Sequence, residues 1–88
     1  MFARVKSLFL TTFEGVVMFI YDFDSYRMHR VDNDNVHVYK GSDMIARIEK
    51  RSAIVLLYYF DYLHFDARQI LRMLENQGYR GARAVHVR

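Results

Sequence analysis

The chain has 88 residues, is 52% apolar and 26% charged, carries no cysteine or proline, and has a net charge of +3. Those values describe one small globular domain spanning 1–88 and exclude a disordered chain, a disulfide framework and a cysteine-based metal site. No apolar run approaches the ~18 residues of a membrane-spanning helix, and no signal-peptide cleavage pattern follows the opening segment. The lack of cysteine fits a cytoplasmic protein.

Taken in chain order, the first segment supports two readings. Phe2, Val5, Phe9 and Thr12 or Phe13 are spaced for one helix face, whereas Thr11, Thr12 and Phe13 favour a strand over 2–13, the preferred reading. Val16–Phe23 is a β-branched and aromatic run of strand length. Tyr26–Val31 and Val36–Tyr39 alternate in polarity around Asp32-Asn33-Asp34-Asn35, which predicts a hairpin with a four-residue loop. Gly41-Ser42-Asp43 makes the next turn. In the strand that follows, Met44, Ala46 and Ile48 alternate with Ile45, Arg47 and Glu49. Glu49–Ser52 reads as a polar turn into a strand over Ala53–Phe60; one long helix from Ser52 to Gln77 is the competing reading.

A helix over Asp66–Gln77 is the clearest element. Asp66 suits the N-cap and Gln69 the position three residues on, while Gly78 suits C′. Ala67, Ile70, Leu71 and Leu74 form its apolar stripe. Ala82–Val87 alternates again and predicts a short edge strand. The fold class is therefore α+β: an antiparallel β-meander of about five strands packed against one C-terminal α-helix, with a short final edge strand.

Few residues carry recognisable chemistry. Tyr21-Asp22-Phe23-Asp24 after a hydrophobic strand resembles the strand-end carboxylates of haloacid-dehalogenase-like phosphatases and some small nucleases, which would imply Mg²⁺ held by Asp22 and Asp24. That likeness spans four residues, and the chain is too short for the phosphatase fold, so a solvated turn is preferred. Asp61, His64 and Asp66 could form an acid–base or metal cluster, but a loop beside a helix start explains them more simply. His29 and His37 fit a cross-strand pair, and His86 a strand position. The Asp32–Asn35 run resembles the opening of a calcium loop and then fails, since Val36 and His37 stand where a ligand and a glycine are needed. Asp43 with Glu49-Lys50-Arg51 is too generic to mark a nuclease. No catalytic residue, metal ligand or cofactor site is assigned, and the chain is read as a non-enzyme.

Aromatic and arginine content carries the functional signal. Leu56–Phe65 holds five Tyr or Phe in ten residues, and ten of the thirteen cations are arginines. A domain this small buries only about 60–65% of its unfolded surface, so some rings must lie near the surface. Tyr and Arg are the common anchors of protein interfaces. The expected function is that of a small protein-binding inhibitor or adaptor acting through Arg27, Arg30, Tyr58, Tyr59, Tyr62, Arg80 and Arg83, with a homodimer among the arrangements it suits. The alternative is nucleic-acid binding by Tyr and Arg on the sheet and by the basic C-terminus. No membrane partner is expected.

Overall fold

The computed structural model describes residues 19–87. The expectations for residues 2–13, and for the first residues of the Val16–Phe23 run, lie outside them. Six strands follow in chain order: β1 (Phe19–Phe23), β2 (Tyr26–Asp32), β3 (Asn35–Lys40), β4 (Asp43–Arg51), β5 (Ile54–Phe60) and β6 (Arg83–Val87). A 3₁₀ turn over Asp61–Leu63 and a helix, α1 (His64–Asn76), separate β5 from β6. The sheet order is β1-β2-β3-β4-β5-β6, antiparallel through β5, with β6 added parallel to β5. This is the α+β architecture that the patterning predicts, and 54–60 is strand rather than the start of a long helix.

Short turns make the meander. Each of the four hairpins closes through two residues, which fixes its register. Between β2 and β3 the loop is Asn33-Asp34, shorter than the four residues expected, because Asp32 and Asn35 still belong to the strands. The Asp32 carboxylate accepts hydrogen bonds from the Asp34 backbone N–H at 2.8 Å and from Asn35 Nδ2 at 3.0 Å. Those two bonds, the backbone one foremost, hold the Asp32 carboxyl below its usual range. Between β4 and β5 the turn is Ser52-Ala53, so Glu49, Lys50 and Arg51 are strand and not turn. Asp24 and Gly41, in turns, have φ of 57° and 66°, a region that Asp tolerates and Gly enters freely.

One face of the sheet holds the core. Met28, Val36, Val38, Ile48 and Leu57 are fully buried beneath Ile70 and Leu74 of α1. Two bulges correct the simple alternation. Val38 pairs with Ala46 and Tyr39 with Met44, so Ile45 is an extra residue, and Ile45 and Ala46 are buried in succession while Met44 turns outward. Likewise Arg30 pairs with Val36 and Asp32 with Asn35, which leaves Val31 unpaired and exposed.

Helix α1 begins two residues before its expected cap. Leu63 occupies the N-cap without a side-chain bond, and Asp66 lies inside the first turn, buried against the sheet. The C-terminus is as expected. Gly78 at φ 98° is C′, the Tyr79 N–H donates to the Leu74 carbonyl at 3.0 Å, and the Gly78 N–H donates to that of Glu75 at 3.0 Å. These are the two bonds of a Schellman ending. The buried stripe is Ala67, Ile70, Met73 and Leu74, with Leu71 at its margin. Chemical denaturation should therefore show Ile70→Ala costing about 2–5 kcal/mol and Leu71→Ala distinctly less. Equal costs would move the helix face by one residue.

Candidate functional site

The carboxyl ends of β5 and β6 point the same way, because the two strands are parallel, and the 3₁₀ turn and the start of α1 cover that end. Most of the Leu56–Phe65 aromatic segment is deployed here. Successive residues of a strand point to opposite faces, so Tyr59 enters the core at 6% exposure while Tyr58 lies half-buried on the face away from α1. Tyr58 stacks under Arg47, whose Cζ is 4.4 Å from the ring centroid. Glu49 beside them accepts from Arg51 Nε at 3.2 Å and stands 3.6 Å from Arg47. The Arg51 hydrogen bond first, and then that from Tyr58, holds the Glu49 carboxyl below its usual range.

Beyond the strand the chain leaves the sheet and its rings come out. Tyr62 is 82% exposed, with Phe60 and Met44 exposed beside it, and Phe65 is 63% exposed. Phe60 and Tyr62 stack at 6.0 Å with nearly parallel rings. Two concavities flank this surface. One, of about 140 Å³, is lined by Met44, Arg47, Tyr58, Phe60 and Val87 among others. The other, of about 480 Å³, is lined by Lys40, Asp43, Met44, Tyr62, Leu63 and Asp66 among others. Met44 and Ile45 line both.

The expected contact residues divide. Arg27, Tyr58, Tyr62, Arg80 and Arg83 reach the surface, wholly or in part. Arg30 does not. It is 9% exposed, and its guanidinium donates to the Asp32 carbonyl at 3.2 Å and to Asn33 Oδ1 at 2.7 Å, so it braces the β2–β3 turn. Tyr59 is likewise withdrawn into the core, a correction that follows from strand alternation. Arg27 pairs with Asp22 at 3.1 Å, which occupies one of the two carboxylates read as a magnesium pair. Asp24 sits in the turn itself. Phe60, Phe65 and Met44 were missed as surface residues: Phe60 ends the strand, and Met44 turns out at a bulge that polarity alternation cannot reveal.

Asp61, His64 and Asp66 separate as well. Asp66, 7% exposed, accepts a hydrogen bond from the buried Tyr26 hydroxyl and one from Lys40 Nζ at 3.3 Å, binding α1 to β2 and β3. Asp61 and His64 instead meet His86 of β6. His86 Nδ1 lies 3.0 Å from Asp61 Oδ1, the two imidazoles are 4.9 Å apart between centroids, and the Tyr59 hydroxyl shares a 3.2 Å hydrogen bond with His64 Nδ1. Across the hairpin His29 faces His37, as expected.

The Tyr26–Asp66 bond has a consequence for alkaline stability. Burial, reinforced by Asp66, raises the Tyr26 phenol well above its ordinary pKa. An unfolded Tyr26 ionises from pH ~10 while the folded one stays protonated, so its contribution is complete below ~10 and declines by up to about 1.4 kcal/mol per pH unit above it. Denaturation between about pH 8 and 11 should show a steeper loss for wild type than for Tyr26→Phe, and parallel slopes would mean that Tyr26 ionises freely when folded. Searches against protein-family models, curated proteins and solved structures find no match to this chain, so its function rests on its own geometry.

Proposed function

We propose that the protein is a non-enzymatic binding module whose partner is another protein, engaged at the aromatic surface where β5 passes into α1. The exposure of Tyr62, Phe60 and Met44 side by side carries this reading. Large apolar groups clustered at the surface of so small a domain mark an interaction site more often than chance exposure does. Tyr62 and Phe60 offer rigid contact area with few rotatable bonds to immobilise. The neighbouring 140 Å³ concavity is close to the roughly 150 Å³ that accommodates a benzene ring. It suits one apolar side chain of a partner, with Arg47 among its lining residues.

The paired charges of the sheet favour protein over nucleic acid. Arg27 is matched by Asp22, Arg47 and Arg51 share Glu49, and Lys40 meets Asp66. Cations committed to carboxylates supply little of the counterion release on which phosphate-backbone binding depends.

Affinity capture with wild type and a Phe60→Ala, Tyr62→Ala double variant, alongside nucleic-acid titrations over about 50–300 mM salt, tests the proposal. The expected result is a protein retained by wild type and lost by a variant that melts normally, with no salt-sensitive nucleic-acid binding. If that retained protein is a second copy, the mass by light scattering doubles for wild type alone. Equal retention by both proteins, or tight salt-sensitive binding of DNA or RNA, would overturn the reading.

A further inference from the structure

We propose that Asp61, His64 and His86 form a binding site for one divalent transition-metal ion of the zinc class. The site is independent of the protein-partner reading. The three residues come from three elements, the 3₁₀ turn, the first position of α1 and the penultimate position of β6. One potential ligand atom from each lies within 4.8 Å of the other two. Ligands about 2.0–2.2 Å from zinc in a tetrahedron stand roughly 3.3–3.6 Å from one another. All three side chains are exposed, so modest side-chain rotations suffice to close the gap without disturbing the core.

The donor set selects the metal. Two imidazoles and one carboxylate suit zinc, cobalt, nickel or iron, whereas magnesium and calcium take oxygen ligands almost alone. Three protein ligands also leave a coordination position for water or for a donor from outside the chain. His64 has an outer hydrogen bond, as metal-binding histidines ordinarily do. The Tyr59 hydroxyl holds His64 at Nδ1 and leaves Nε2 available, while the buried ring of Tyr59 packs edge-on to both His64 and His86, with centroids 5.5 and 4.9 Å away. Such a partner orients the imidazole and fixes its tautomer. A metal bridging Asp61 and His86 replaces the 3.0 Å contact between His86 Nδ1 and Asp61 Oδ1. Bound there, it would tie the last strand of the sheet to the start of the helix.

Calorimetric titration of the full chain with zinc chloride, paired with thermal melts in zinc, in magnesium and in chelator, tests the assignment. One zinc per chain is expected. Zinc should raise the melting temperature through preferential binding to the folded state, and magnesium should leave it where chelator does. His64→Ala and His86→Ala should each weaken zinc at least tenfold, and Tyr59→Phe about tenfold as an outer partner. His37→Ala, which removes an imidazole from the other face of the sheet, should bind as wild type. If His64→Ala fails to fold, Asp61→Asn and His86→Gln provide the same comparison from side chains that are half exposed. Absence of zinc binding by wild type, loss of binding in His37→Ala, or full retention in His86→Ala would overturn the proposal.

Discussion

Parallel pairing of β6 with β5 obliges the chain to leave the sheet, cross one face and return beside the strand it left. An antiparallel neighbour needs only a two-residue turn, but a parallel one needs a long crossover. Here the crossover is the 3₁₀ turn, α1 and the Gly78 ending. It supplies the only helix among the described residues, and so the cover for the face bearing Met28, Val36, Val38, Ile48 and Leu57. The same detour places the start of α1 beside the end of β6. Asp61, His64 and His86 are neighbours for that reason alone.

The helix is held by apolar burial and by one polar group. Each fully buried Ile or Leu contributes about 1.5–3 kcal/mol relative to exposure, and Ile70, Leu74 and Leu57 meet in that layer. Asp66 enters the same layer as a carboxylate, which would be costly without partners. Tyr26 and Lys40 supply them from two adjacent strands. A hydrogen-bonded carboxylate is directional where packing is not, so this contact fixes the position of α1 along β2 and β3 as well as its distance from the sheet.

Position in the crossover also sorts the aromatic residues. Inside β5 the alternation of faces divides them, with Tyr59 committed to the core and Tyr58 to an arginine stack on the opposite face. Past Phe60 there is no sheet to pack against, and Tyr62 and Phe65 stand in solvent. The partner surface and the metal site, both proposals, lie side by side at that transition. Both follow from the point at which a strand stops and its side chains lose their neighbours.

What the sequence determined by itself is local. Period-two polarity marked the strands, Asp and Asn marked the hairpin between β2 and β3, and the stripe from Ala67 to Leu74 with Gly78 behind it marked the helix and its end. Each of these signals acts over a few residues, through backbone preference and the facing of neighbouring side chains. The excess of Tyr and Phe in 56–65 also signalled a surface, but not which rings would reach it. Tertiary structure decided the rest. The bulge at Ile45 turned Met44 outward, the start of α1 at His64 carried Asp66 from a cap to a buried anchor, and Arg30 went to a turn. The direction of β6 brought His86 to Asp61 across 25 residues of chain. These outcomes depend on pairings between distant segments, whose energies no local pattern encodes.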